Sequence, residues 1–250
     1  AEAEEESKEM LFIMDTSSLQ GKTLVIYEYL IHQDITVTSH TERFDTAQMI
    51  YIPSVETTAL DGDTVSHVGT VKKEAVITDI VNYTNLIPGK SYRVQGTLMV
   101  RETGEALLMD GQPVTAEQSF IPEAPSGSVI LSYTVDSTLL SGKTVVVFED
   151  LLFEGITLVS HADLEDESQS VHYPEIGTEA TAGGSHAVTA GEVKEIRDLV
   201  KLTNLIPGET YTLRGKVMGQ TNGTVLTVHG QAVTASKTFT ADAAQMEVEI

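Results

Sequence analysis

The chain has 250 residues, 41% of them apolar, with a mean hydropathy near zero, which suffices for one or two domains with buried cores. Asp and Glu number 37 against 15 Lys and Arg, a net charge of −22 that repels phosphate backbones and anionic lipid, so neither nucleic acid nor membrane insertion is expected. No cysteine is present, which excludes disulfides, thiolate metal sites and thiol nucleophiles together, and no run approaches the ~18 apolar residues of a spanning helix.

The N-terminus, AEAEEESKEM, has the wrong charge for a secretory signal, so the chain is expected to be a mature piece whose export or anchoring signals lie outside it. Next comes DTSSLQGKTLVIYE at 15–28, which returns as DSTLLSGKTVVVFE at 136–149. The offset of 121 holds from Gly21/Gly142 through Glu28/Glu149, His40/His161, Gln48/Gln169 and Pro53/Pro174 to Thr57/Thr178. ITDIVNYTNLIPGKSYRVQGTLM at 77–99 then returns as IRDLVKLTNLIPGETYTLRGKVM at 196–218, at an offset of 119, so two residues are missing from the intervening loop of the second copy. Self-similarity at this period divides the chain into the last part of one repeat (1–50), one whole repeat (51–170) and the first part of another (171–250). The two partial pieces are expected to be completed, either by each other within the chain or by neighbouring molecules, because a half-sandwich exposes its apolar face.

Within a repeat the apolar pattern has period two. YRVQGTLM, VILSYTV, KTVVVFE and ITLVSH are short and rich in Val, Ile, Thr and Tyr, and they predict strands. Turn signals separate them: Ile-Pro-Gly at 87–89 and 206–208, Asp110-Gly111, Gly142-Lys143 and Asn222-Gly223. No segment sustains helical spacing for three turns, so helix is expected to be minimal. About seven short strands in ~120 residues predict an all-β chain of tandem immunoglobulin-like sandwiches.

Core and turn needs account for most repeated positions. Five polar ones remain: Thr57/Thr178 in the first strand, Asp79/Asp198 opening the next, Glu28/Glu149 ending a very apolar strand, and His40/His161 and Gln48/Gln169 at the end of the repeat. Taken singly, Asp79 and Glu149 read as solvent-facing strand residues; buried together, they would resist ionisation and could share a proton. Threonine, histidine and a carboxyl are also the parts of a hydroxyl nucleophile with its base and orienter. Gln169 supplies an electrophile if an acid polarises its carboxamide. Asp61-Gly62-Asp63 and the acidic stretch 163–167 offer oxygens to Ca²⁺ but read as solvated turn acids; no metal or cofactor is expected.

These residues resemble the ester-bond-forming immunoglobulin-like domains, also called VaFE repeats, of Gram-positive surface adhesins. The resemblance covers essentially the whole chain. It rests on Pro-x-Ile/Val-x-Thr-x-Ala (Pro53 to Ala59; Pro174 to Ala180), Asp-Ile/Leu-Val with Asn-Leu-Ile-Pro-Gly, Val147-Phe148-Glu149 with Ile26-Tyr27-Glu28, and His-x7-Gln (His40 to Gln48; His161 to Gln169). It implies Cna B-type-like sandwiches in a cell-wall-anchored extracellular stalk. It also implies that Thr57 attacks the side-chain amide of Gln169 on the last strand, releasing ammonia and leaving an intramolecular ester. His161 would assist proton transfer, and Asp79 and Glu149 would polarise the amide. For the split repeat the implied set is Thr178, Asp198, Glu28, His40 and Gln48, which requires the partial pieces to meet. Partners would be adjacent repeats; no host ligand is indicated. Thr58 adjoins Thr57 as a minor rival nucleophile. Asp163/Glu42 reads as non-catalytic and Asp45/Asp166 as turn residues.

Three other readings compete. A sandwich without a cross-link would serve adhesion or ligand binding. An isopeptide sandwich would use Lys72 or Lys73, although the last-strand partner is Gln rather than Asn and the alignment with Lys194/Glu195 is approximate. A hydrolase would turn Thr, His and Asp on an external substrate, but a nucleophile held between strands reacts once with its neighbour.

Overall fold

Alternation shapes the whole repeat. In the strand Ala75–Thr84, residues 75, 77, 79, 81 and 83 are buried and those between them face outward, as for a strand packed on one face. Ser54–Asp61 buries Val55, Thr57, Ala59 and Asp61 in the same way. The computed structural model describes residues 8–191 and 194–250. It joins these two strands with Gly127–Val135 into a three-stranded antiparallel sheet centred on Ala75–Thr84. The facing sheet runs Thr115–Phe120, Tyr92–Val100, Thr144–Phe153, Ile156–His161, with short Ser170–His172 also paired to Thr144–Phe153.

Between the sheets lie Ile77, Val81, Val94, Leu98, Leu131, Val145, Val147 and Leu151, all buried. Tyr83 and Tyr92 pack on Phe120, and Tyr92 also on Phe153, a ring cluster between two sheets. No α-helix occurs among the described residues; helical character is limited to 3-10 turns such as Glu167–Gln169. Asp110 and Gly111 both have positive φ (52° and 76°), as a two-residue hairpin turn between Leu108–Met109 and Gln112–Pro113 requires.

Several expectations about position shift. Glu149 does not end its strand: Thr144–Phe153 continues because Asp150 to Phe153 stay paired with Tyr92–Gln95 on one side and Ile156–Ser160 on the other. Asp79 likewise lies well inside Ala75–Thr84. Gln169 closes the 3-10 turn immediately before the last strand, Ser170–His172. The last strands reach Tyr51 and His172, a little beyond residues 50 and 170.

The partial repeats build matching fragments. The first pairs Thr23–Val25 with Met49–Tyr51 and Glu28–His32 with Ile35–His40. The third forms a sheet of Glu175–Thr181, Arg197–Thr203 and Met246–Glu249, facing Thr210–Lys216 paired with Thr234–Thr240, over a small core of Val200, Leu202, Leu205, Ala241 and Val248. The first fragment docks where the whole repeat presents Asn85, and the third docks at Lys143 and Tyr173. The ten-residue strand Ala75–Thr84 runs between those two poles, about 30 Å at ~3.3 Å per residue. Among the described residues no strand of 8–50 pairs with a strand of 171–250.

Candidate functional site

Strand register assembles the site. Thr57 lies opposite Val81, two residues along from Asp79, on the inner face of one sheet. Across the core, Glu149 lies opposite both Gly96 and His161. The turn that follows delivers Gln169 to the open edge of Ser54–Asp61. Thr57, Asp79, Glu149 and Gln169 are all buried. The solvent-facing reading of Asp79 and Glu149 is therefore overturned. Both fall in the inward register of their strands, Asp79 between Ile77 and Val81 and Glu149 between Val147 and Leu151.

Gln169 Nε2 donates to Thr57 Oγ1 at 2.7 Å and to Glu149 Oε2, while Gln169 Oε1 is buried without a partner. Thr57 Oγ1 also meets His161 Nδ1 at 3.2 Å, and His161 Nε2 meets Asp166 Oδ2 at 3.0 Å. Because Asp166 accepts, Nε2 carries a ring proton, and in the neutral imidazole Nδ1 is then the nitrogen whose lone pair faces the threonine hydroxyl. Partial burial opposes ionisation of Asp166, but hydrogen bonds from Ser168 and the facing His161 hold its carboxyl below the ordinary range.

Burial pushes the Glu149 carboxyl far up, and the neighbouring Asp79 charge raises it further. Burial also raises Asp79, opposed by its hydrogen bond with Glu149. Two ionised carboxylates offer acceptors and no donor, and neither Asp79 oxygen nor Glu149 Oε1 finds a donor elsewhere. A proton held between the pair satisfies both groups and removes the repulsion.

Sequence reasoning missed two contributors. Asp166, expected only as a turn residue, does cap the 3-10 turn by accepting from Ser168 N, and it also orients His161. The signal was available, since Asp-x-x-Gln stands five residues after the His in both copies (Asp45 to Gln48; Asp166 to Gln169). The second is Tyr133, a buried phenol whose hydroxyl has no partner. Its ionisation is pushed up by burial and by the charges of Asp79 and Glu149, so it remains a donor beside the acid pair. Its counterpart in the other copy is Phe12, so repetition could not have revealed it.

Other candidates fall outside the cluster. Thr58 faces the other side of its strand, opposite Ile80. Lys72 is paired with Asp63. Asp163 accepts from Glu165 N in an exposed turn. Asp61 is not solvated: it is buried and accepts from the Asp63, Thr64 and Thr70 amides and the Thr70 hydroxyl, all at 3.0 Å. Among the described residues no cluster of three or more His, Cys, Asp or Glu residues is arranged to hold a metal.

The second set is divided. Gln48 Nε2 donates to Glu28 Oε2 at 2.7 Å and meets His40 Nδ1 at 2.9 Å, while His40 Nε2 faces Asp45 at 3.2 Å. Without a threonine between them, glutamine and histidine touch directly. Thr178 and Asp198 lie at the other pole, in the register of Thr57 and Asp79: Thr178 opposite Val200 and Ala180 opposite Asp198. Leu30 is 62% exposed where its counterpart Leu151 is 1%, and Ile176 is 59% exposed against 9% for Val55.

A family model described as "T-Q ester bond containing domain" matches residues 1–52, 53–173 and 174–250. A search of curated proteins finds no match. Among solved structures, similarity is found to a bacterial adhesin from Mobiluncus mulieris containing intramolecular disulfide, isopeptide and ester bond cross-links, in two crystal forms. One is 14% identical with a TM-score of 0.42, covering 74% of this chain and 92% of that one. The other is 13% identical with a TM-score of 0.42, covering 79% and 96%.

Proposed function

The chain belongs to the T-Q ester bond containing domains, and from that premise we propose that it is a stalk segment of a Gram-positive, cell-wall-anchored surface adhesin, fastened by a self-made ester between Thr57 and Gln169. One observation carries this reading: the Thr57 hydroxyl lies against the Gln169 carboxamide at 2.7 Å, both buried, with a base on one side and an acid pair on the other.

The reaction is one acyl transfer. A bond forms between Thr57 Oγ1 and Gln169 Cδ, and the Cδ–Nε2 bond breaks. The hydroxyl proton passes to His161 Nδ1 and then to the departing nitrogen, which leaves as ammonia. A half-turn about the last torsion of Gln169 exchanges Nε2 with Oε1, bringing the carbonyl oxygen to the protonated Glu149. That acid then donates to the oxygen where negative charge develops. Burial of both reacting groups leaves no room for an external substrate, which supports a single turnover per domain rather than continuing catalysis.

For the split set we read closure between copies, Thr178 of one chain joining Gln48 of the next. The two half-sites lie in the fragments docked at opposite poles of the whole repeat, with the ~30 Å strand Ala75–Thr84 between those poles, and each keeps the register of the complete site.

Intact-protein mass is the test. The chain should be lighter than its sequence by one ammonia, and Thr57→Ala or Gln169→Ala should restore the full mass; full mass in the matured, unsubstituted chain would sink the proposal. At high concentration, a ladder of covalent oligomers should form, losing one further ammonia per link, and Thr178→Ala should abolish the ladder alone. A monomer lacking two ammonias would instead indicate closure within the chain.

A further inference from the structure

Two asparagines, Asn85 and Asn204, stand in the repeated Thr-Asn-Leu-Ile-Pro-Gly segment, and both adopt the left-handed backbone, at φ 60° and 56°. Neither belongs to the ester site. Asn85 Nδ2 donates to the Lys22 and Ile52 carbonyls at 2.8 and 3.0 Å, and its Oδ1 accepts from Thr23 Oγ1 at 2.8 Å. Asn204 Nδ2 donates to the Lys143 and Tyr173 carbonyls at 2.7 and 3.3 Å, and its Oδ1 accepts from Thr144 Oγ1 at 3.1 Å. Three partners of each correspond: Lys22 with Lys143, Thr23 with Thr144, Ile52 with Tyr173; Asn204 Oδ1 also meets His172 Nδ1 at 3.5 Å, where the first joint has Tyr51. With the repeats bounded at 52/53 and 173/174, as the family model divides them, each asparagine belongs to one repeat and all of these partners to the repeat before it.

We propose that Asn85 and Asn204 lock the joints between consecutive repeats, and that the surface each one recognises is the outgoing pole of a repeat of this family, formed by its Gly-Lys-Thr turn and the carbonyl of the residue that follows its last strand. The residue type follows from the geometry. Two N–H donors and one acceptor on a short stem match two carbonyls and a hydroxyl, and asparagine tolerates the left-handed conformation better than other residues carrying such an amide. The turn glycines fit the same contact. A Cβ at Gly142 would stand 2.9 Å from Glu175 Oε2 and 3.7 Å from Thr203 Oγ1, and one at Gly21 3.4 Å from Ser54 Oγ and 3.5 Å from Thr84 Oγ1, so the next repeat sits directly against the turn.

The mechanical meaning lies in the path of the chain. It leaves one repeat at Tyr173, enters the first strand of the next at Glu175 and returns along Arg197–Thr203 to Asn204. The asparagine then binds back to Tyr173, closing a ring across a connection of one residue, Pro174. A repeat that could swing about that connection is held at two further points. Consecutive repeats therefore form a stiff rod, whether or not each carries its ester.

The absence of native cysteine allows spin labels at Glu117→Cys in the whole repeat and Lys216→Cys in the third, both exposed positions. The inter-label distance distribution should be narrow in the otherwise unsubstituted chain and at least twice as wide in Asn204→Gly and in Asn204→Asp. Glycine keeps the backbone conformation without the clamp; aspartate keeps the shape without the donors. An unchanged width in both variants, or broadening with glycine alone, would overturn the proposal. A second measurement needs no substitution at the joint: carboxamide protons of Asn85 and Asn204 should exchange with solvent at least tenfold more slowly than those of exposed Asn82, and equal rates would also overturn it. The loss of ammonia at Thr57–Gln169 should persist in both variants, so failure of this idea and failure of the ester reading give different results.

Discussion

At the scale of single residues, the site separates two roles that composition alone leaves mixed. In the proposed reaction His161 takes a proton because Asp166 accepts from its far nitrogen, and Glu149 supplies one because burial and Asp79 keep it from ionising. Asp166→Asn should therefore slow closure of the ester at least tenfold, by loss of the tautomer that presents a lone pair to Thr57. Asp163→Asn, two residues from the histidine but with its side chain accepting from Glu165 N rather than facing the ring, should leave the rate alone; a time course of intact mass after refolding reads both. The acid pair also sets a pH dependence. Its folded pKa values are raised, so the folded state holds protons that the unfolded state has released above pH ~4. Stability is then greatest below that point and falls as pH rises toward the raised value, by at most ~1.4 kcal/mol per pH unit for one proton. Urea melts of Thr57→Ala between pH 5 and 9 should show this fall, and Glu149→Gln should flatten it.

At the scale of elements, the strands do more than enclose a core, because their register aims the reacting groups. Gly96 sits opposite Glu149 in the neighbouring strand, and a Cβ there would stand 1.9 Å from the Tyr133 hydroxyl and 2.9 Å from Leu131 Cδ1. Gly96→Ala should force the tyrosine away from the acid pair and cost about 1–3 kcal/mol as an overpacked core position, measured as a lower urea midpoint in the Thr57→Ala background. The inward face of Ala75–Thr84 was legible as Ala75, Ile77, Asp79, Val81 and Tyr83 once period two was granted. What could not be read was that Glu149, nearly seventy residues later, would face the same interior. One carboxyl among apolar neighbours more often turns outward; two facing each other across a sealed core can share a proton.

At the scale of the whole molecule, the proposed ester would join the first strand of a repeat to the turn before its last strand, the two places where a tandem array is loaded. Closing the chain from Thr57 to Gln169 should stabilise the whole repeat by about 4 to 5 kcal/mol, by restricting the unfolded state as a disulfide of that span does. Calorimetry of the unsubstituted chain against Thr57→Ala should show a higher melting temperature for the linked protein. Hydroxylamine applied to the unfolded protein should cut the bond and abolish that difference on refolding, because an ester yields to it and an isopeptide amide does not. Resistance of the link to hydroxylamine would point back to isopeptide chemistry.

Repetition within 250 residues was enough to find the repeat period, the strand-rich class and the polar residues that the whole repeat brings together, because core, turn and site positions recur at fixed offsets that local chemistry explains. The tertiary structure alone decided that Asp79 and Glu149 are buried against each other, that Asp166 serves His161 as well as its own turn, that Thr178 stands a full domain away from Gln48, and that Asn85 and Asn204 grip the repeat before them. Each of these is a pairing between residues distant along the chain. Periodicity tells which face of a strand turns inward, whereas what it meets there depends on how separate strands stack and on how one repeat seats against the next.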